Sequence, residues 1–388
     1  MGVAIYYIIL AAVIVFGRLM PQSGKKKKNY IILMAALHAF VSGFRYKLLT
    51  GDLQKYAYTF LTVKDKDWFS EDVFSEGRNF LFMWFLKAVN QITDGNFQIV
   101  LIIIAVFIEL AVAIVVFKHS PSPWLSYLIW NCFGFYSFGF SALKQSFAMG
   151  FILLAFSAIM EKKPVRFIVF VAVAGFIHFP AFIFLPAYII ASRKITYKNI
   201  LLYIIIAILI FTFRKDIVEF VTEFYYEDKD FVSSGRIGGR FLMLCIILIA
   251  GAFIKGVDGK KFSTVISVVA VGTVIQLFSS FDNVFTRLAD YYLQMLIVLI
   301  PMIFTDFEDE KYDDSAASYK LFLNKKQKQL LTICLVLLSV AFYYFTVLSV
   351  KIVSVDDYLN FKFSWEVSDD LWDEAVRNIK LNSETSGD

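Results

Sequence analysis

The sequence predicts an all-α, polytopic integral membrane protein, and three observations predict it. Hydrophobic residues make up 59% of the 388-residue chain and charged residues only 18%, whereas a soluble domain is about half apolar and about a quarter charged. Apolar runs near the length of a bilayer core, about 20 residues with a floor near 17, recur along the chain with short polar breaks between them. Lys and Arg cluster in particular breaks: 25–28, Lys162/Lys163/Arg166, Arg193/Lys194/Lys198, Lys255/Lys260/Lys261 and Lys325/Lys326/Lys328. Such clusters mark cytoplasmic loops. So large an apolar surplus cannot be covered by polar surface in a water-soluble globule of this length.

The runs place spans at 3–20, 30–44, 98–117, 124–140, 147–160, 199–213, 240–254, 262–281, 284–304 and 330–350. The first has no basic region before it and four lysines after it, so it reads as a membrane helix rather than a cleavable signal. The segment 80–92 is short and contains Lys87, which fits an interfacial or re-entrant helix. The segment 167–191 is interrupted by His178 and Pro180 and has basic clusters at both ends, so it reads as a hairpin with His178 at its apex. With these two, about 10 to 13 transmembrane helices are expected. The organisation is a membrane domain over 1–353, with extracytoplasmic loops 45–78 and 214–240 and a cytoplasmic loop 305–329, followed by an acidic extracytoplasmic tail over 354–388.

Several function classes find no support. His38, His119 and His178 are scattered without metal-ligand spacing, and Cys132, Cys245 and Cys334 each lie inside apolar runs with no CxxC pair. No phosphate-binding glycine loop, dinucleotide fingerprint or GxSxG elbow occurs. The +5 net charge comes from the loop clusters rather than a basic face, so no nucleic-acid partner is expected. Neither a metal nor a cofactor is expected.

The remaining polar residues sort to one side. Under the same topology 45–76, 141–145, His178, 214–240 and 282–287 all fall at the outer face. Ionisable groups at membrane depth are costly and mark functional cavities. Within these stretches Asp52, Tyr56 and Phe60 recur every fourth residue after Gly51, so they share one helix face, either a membrane-surface aromatic face or part of a site. Lys144 and Gln145 open a helix. Lys144 is either a snorkelling end residue or a cation that needs an anion between it and the helix dipole. His178 is either a core histidine, a general base or a phosphate contact. Arg236 and Arg240 flank Gly238-Gly239 in a stretch that is either a solvated loop or a phosphate wrap. Arg287 and Tyr291 share a face, and Asp290 is available to pair with Arg287, alone or with an anionic ligand.

In order along the chain, Arg45…Gly51-Asp52…Tyr56…Phe60, Glu76-Gly77-Arg78-Asn79-Phe80, Ala142-Leu143-Lys144-Gln145, Phe176-Ile177-His178-Phe179-Pro180-Ala181 and Arg287-Leu288-Ala289-Asp290-Tyr291-Tyr292 resemble the EpsG family of exopolysaccharide polymerases, which belongs with the wider Wzy polymerases. The chain departs from that pattern at Lys144, where Arg is expected, at Pro180, where Ser is expected, and at Gly77-Arg78, where Pro-Gly is expected. Lysine lacks the bidentate fork of arginine.

The resemblance implies a fold similar to the GT-C membrane glycosyltransferases. It implies a metal-independent polymerase acting at the outer face of the bacterial cytoplasmic membrane on polyprenyl-pyrophosphate-linked oligosaccharide repeat units to build exopolysaccharide or capsule. The lipid pyrophosphate is the leaving group, and a single displacement inverts the anomeric centre. On this reading Asp52 and His178 are the catalytic candidates. Arg45, Lys144, Gln145, Arg236, Arg240 and Arg287 bind pyrophosphate, with Tyr56 and Tyr291 against sugar or prenyl. A chain-length regulator and a flippase of the same pathway are the expected partners. The rival readings are a flippase or transporter of lipid-linked oligosaccharide, and another membrane sugar or acyl transferase.

Overall fold

The computed structural model describes residues 4–70, 73, 78–192, 209, 210, 212, 213, 215–217, 238–255, 260–304, 325–343 and 361–368, with 370, 372–374 and 377. Most of the expected span 199–213 and of the expected loops 214–240 and 305–329 lies outside them. The fold is all-helical, 82% helix with no strands among the described residues. It comprises two compact units, 1–182 with 332–388, and 183–331.

The first unit begins with α1 (Ala4–Leu19), α2 (Lys27–Gly43), α3 (Gly51–Thr62), α4 (Phe80–Thr93) and α5 (Phe97–His119). It continues with α6 (Pro123–Cys132), the single turn α7 (Phe135–Phe138), α8 (Leu143–Met160) and α9 (Pro164–Ile177). Local chemistry sets the ends. Thr50 caps α3 by accepting from the Leu53 N–H at 3.2 Å, and Asn96 caps α5 by accepting from the Gln98 N–H at 3.1 Å. Pro123 and Pro164 open α6 and α9 at positions that need no amide hydrogen. The α4 helix closes on Asp94 and Gly95, both with positive φ (50° and 85°), and the Gly95 N–H returns to the Asn90 carbonyl at 3.1 Å.

The α2, α5, α8 and α9 helices pack in succession. On α5 the face Val100, Ile104, Ala111 and Val115 is buried, while Ile103, Val106, Leu110, Ile114 and Phe117 form an exposed stripe. An apolar stripe at helical spacing facing outward is what lipid solvates. Glu109, on the buried face, accepts from the Trp130 indole at 3.0 Å. His38 lies between the Met34 carbonyl (2.8 Å) and the Asn131 amide (2.9 Å), and His119 meets the Ser157 hydroxyl at 2.9 Å. Both are satisfied core histidines.

Lys87 explains how a charged residue sits in a short apolar helix. It is 3% exposed. Its ammonium donates to the carbonyls of Val63 (3.3 Å), Lys64 (2.8 Å) and Lys66, just past the end of α3. A cation there satisfies orphan carbonyls and the negative end of the dipole. Lys87→Met is expected to cost about 1–3 kcal/mol, the penalty of buried carbonyls left without donors, read as a lower thermal midpoint of the purified protein in detergent.

The second unit contains α10 (Ala187–Ser192), α11 (Gly239–Lys255), α12 (Lys260–Gln276), α13 (Asn283–Leu293) and α14 (Leu296–Phe304). Asp282 caps α13 through the Val284 N–H at 2.6 Å. The last long helix, α15 (Lys325–Tyr343), contains the boundary between the units.

Several apolar helices can span a membrane. Among the described residues three are long enough outright, Phe97–His119, Leu143–Met160 and Lys260–Ser280, and Asn283–Leu293 with Leu296–Phe304 makes a fourth if the pair, bent by 56°, is one span. The larger number expected from the runs includes helices of 10–17 residues, such as Ala4–Leu19 and Pro164–Ile177. Local breaks shorten them. Gly134, with φ of 80°, divides the run 124–140 into α6 and α7. His178 takes extended backbone and ends α9 before a 3-10 turn over Phe179–Phe184.

At the basic cluster after α8, Glu161 meets Lys118 at 2.6 Å and Lys163 at 2.5 Å. Hydrogen bonds from those two ammonium groups hold its carboxyl down at about 2. The expected cytoplasmic cluster is therefore partly neutralised.

Candidate functional site

In the first unit the structure brings Arg45, Asp52 and the start of α8 together, and gives Arg45 a duty that differs from the expected one. Arg45 is 1% exposed. Its guanidinium donates to the carbonyls of Ser42, Gly139 (3.1 Å) and Phe140 (3.3 Å) and to the Ser42 hydroxyl (3.2 Å), and lies 5.5 Å from the Phe140 ring centroid. Most of its five N–H donors are thus directed at the protein itself. Arg45 joins the end of α2 to the loop before α8. Its own backbone is held by the Gln98 side-chain amide, which donates to the carbonyls of Gly43 (2.7 Å) and Arg45 (3.0 Å).

Asp52 is half-buried in the first turn of α3, where the dipole favours a carboxylate. Its Oδ2 accepts from the Ser141 hydroxyl at 3.0 Å. Ser141 lies two residues before α8, so Asp52 sits beside the stretch that carries Lys144 (half-buried) and Gln145 (buried). The Asp52–Tyr56–Phe60 face is not an open aromatic platform. Phe60 is fully buried against Phe97 (centroids 5.3 Å), and Tyr56 packs edge-on to Phe82 (5.6 Å).

A second pair of motif stretches also meets in this unit. The Asn79 side chain accepts from the Phe179 N–H at 2.9 Å, and Arg78 lies 5.1 Å from the Phe179 ring centroid. His178, half-buried, is thus fixed between α9 and the stretch 78–80. The aromatic side of α4 bridges the two groups through Tyr56–Phe82, Phe85–Phe147 (5.0 Å) and Phe80–Phe176 (5.0 Å).

In the second unit the charges centre on α13. Asp290, 7% exposed, accepts from Arg240 at 2.6 Å. Arg287, one turn earlier and exposed, attracts the same carboxylate across space. The sequence offered Arg287 as the partner, but the direct ion pair goes to Arg240, the second residue of α11. Two guanidinium groups thus act on one buried carboxylate, Arg240 by direct contact and Arg287 across space. Tyr291 is fully buried, so it belongs to the core rather than to the exposed face of Arg287. Arg236 lies outside the described residues.

Sequence reasoning singled out neither Ser141 nor Asn79, because one hydroxyl or amide in a loop carries no spacing signal. It also gave the C-terminal segment, read as an acidic extracytoplasmic tail over 354–388, no contacts with the rest of the chain. Phe361 and Phe363 are buried, and 362–364 pairs with 44–46. Among the described residues, no group of His, Cys, Asp and Glu is placed to hold a metal.

A family model described as the EpsG family matches residues 28–363. Comparisons with curated proteins and with solved structures give no match.

Proposed function

The chain belongs to the EpsG family, the family of Wzy-type polymerase-like proteins, and from that premise we propose that it polymerises polyprenyl-pyrophosphate-linked oligosaccharide repeat units at the outer face of the bacterial cytoplasmic membrane. Membership itself implies a polysaccharide-polymerase-like activity on a lipid-linked oligosaccharide. The observation that carries the finer reading is that Arg240 and Arg287 both act on the buried Asp290, which places two guanidinium groups beside one helix. Cations fixed at low dielectric stabilise negative charge that develops on a leaving group.

In the reaction a hydroxyl of the incoming repeat unit attacks the anomeric carbon of the growing chain. The bond between that carbon and the pyrophosphate oxygen breaks, and the lipid pyrophosphate leaves with the electron pair. Asp52 takes the proton of the attacking hydroxyl, so one displacement inverts the centre. Arg240 and Arg287 of the second unit are assigned to the pyrophosphate, and Lys144 and His178 are the phosphate-contact candidates of the first unit. Arg45 supports this set by fixing the backbone that leads to Asp52. The partners proposed are the bilayer, the lipid-linked unit, and the flippase and chain-length regulator of the same pathway.

The test is reconstitution of the purified protein in liposomes with a polyprenyl-pyrophosphate-linked repeat unit, followed by sizing the glycan on a gel. A ladder spaced by one unit is expected, and Arg287→Ala is expected to slow its growth by about 10²–10³. Movement of the intact lipid-linked unit between leaflets without a ladder would overturn the reading in favour of a transporter.

A further inference from the structure

A pocket of about 440 Å³ in the first unit lies apart from Asp52 and its neighbours, between the C-terminal segment and the turn that joins α4 to α5. Its volume falls within the range of small-molecule sites, about 300–1,000 Å³. Tyr46, Lys47, Asp94, Asn96, Trp365 and Trp372 are among the residues that line it. Two backbone hydrogen bonds build it from distant parts of the chain, Tyr46 N–H to the Lys362 carbonyl (2.8 Å) and Ser364 N–H to the Phe44 carbonyl (2.9 Å).

The lining has a particular chemistry. Trp365 stacks on Phe363, with centroids 4.4 Å apart and planes 7° apart, and has Phe40 and Phe44 as tilted neighbours at 6.1 Å, yet 59% of the residue remains exposed. Trp372 lies parallel to Phe97 (7°, 6.1 Å), and the Lys47 ammonium is 4.4 Å from its ring centroid. Asp94, Asp373, Asn96 and Gln98 line the pocket with these rings; Asp94 also pairs with Lys64 at 3.4 Å, and the Gln98 amide nitrogen is taken up by the Gly43 and Arg45 carbonyls. A pyranose presents C–H groups on its faces and hydroxyls on its rim. Flat apolar rings beside carboxylate and amide groups complement both. Tryptophans that only anchor a protein at the membrane interface need no such acidic neighbours, and Asp94 and Asp373 disfavour anionic headgroups.

We infer that this pocket binds sugar rings of the polysaccharide, holding the chain between transfers rather than taking part in them. This rests on the polymerase reading, and Tyr46 and Lys47 connect the pocket directly to the segment that carries Asp52.

The experiment uses the full chain in detergent and short oligosaccharides cut by mild acid from the polymer of the producing cell. Saturation-transfer NMR reports their binding. Trp365→Ala, at an exposed ring, is expected to weaken binding by about tenfold or more, the scale of one lost ring-stacking contact, while Trp365→Phe retains most of it. In the reconstituted reaction the same Ala variant is expected to shorten the modal polymer several-fold and to leave addition of the first unit unchanged. Trp372→Ala gives a second reading at the other indole. Binding equal to wild type in both Ala variants overturns the inference, as does signal transferred from lipid acyl chains alone. If wild type makes no ladder, the polymerase reading fails, and the NMR comparison still decides whether the pocket holds sugar.

Discussion

Asp52→Asn is expected to reduce polymer synthesis by about 10²–10⁴, the contribution of a positioned general base. The substitution is nearly isosteric. An amide oxygen can still accept from Ser141, whose hydroxyl lies 3.0 Å from Asp52 Oδ2, and Thr50 still caps α3 through the Leu53 N–H. The structural cost is therefore the loss of one negative charge near a helix N-terminus, about 0.3–1 kcal/mol. Expression and thermal midpoint should stay close to wild type while the glycan ladder collapses. Asp52→Glu should recover part of the activity, since it restores a carboxylate and displaces it by one methylene. Full-length polymer from a normally expressed Asp52→Asn protein would remove Asp52 from the mechanism.

Arg240→Ala is expected to cost about 3–5 kcal/mol of stability, the penalty of leaving a buried carboxylate without its ion-pair partner. Asp290 is 7% exposed, and its direct partner at 2.6 Å is Arg240. Arg287 attracts the same carboxylate but is exposed on the helix surface, so it screens the loss only in part. Adding Asp290→Asn to Arg240→Ala removes the stranded charge and should return most of the lost stability, measured as the thermal midpoint of the reconstituted protein. Activity then separates two roles. If Arg240 serves only to neutralise Asp290, the double variant makes polymer at the wild-type rate. If Arg240 binds pyrophosphate, the double variant is stable and slow, and the second outcome is expected.

The two substitutions probe residues that were legible to different degrees. Asp52 was visible because Gly51-Asp52 and the four-residue spacing to Tyr56 and Phe60 set it on a helix face at a membrane boundary, and the helix over Gly51–Thr62 carries it in its first turn. The ion pair at Asp290 was visible only as a set of candidates. Arg287 is three residues away on the same helix, whereas Arg240 is fifty residues away in the chain, and a contact of that separation leaves no periodic trace. Arg45 shows the opposite case. Its place at the end of an apolar run marked it as notable, but a guanidinium that donates to three backbone carbonyls looks the same in sequence as one waiting for phosphate.

Sequence alone determined the membrane class, the all-helical content and the family, because these follow from composition, from the length of apolar runs and from the order of short polar motifs. The same information did not mark the break inside the run 124–140, since a single residue can end a helix without changing its hydropathy. Gly134 does so with positive φ. Only the tertiary structure decided which charges are spent internally, as at Arg45 and Lys87, and that 361–366 docks on the backbone of 44–46 rather than trailing away. The physical reason is common to all of these. Burial and hydrogen-bond partners are pairwise properties of residues far apart in the chain, and they are fixed only when helices pack.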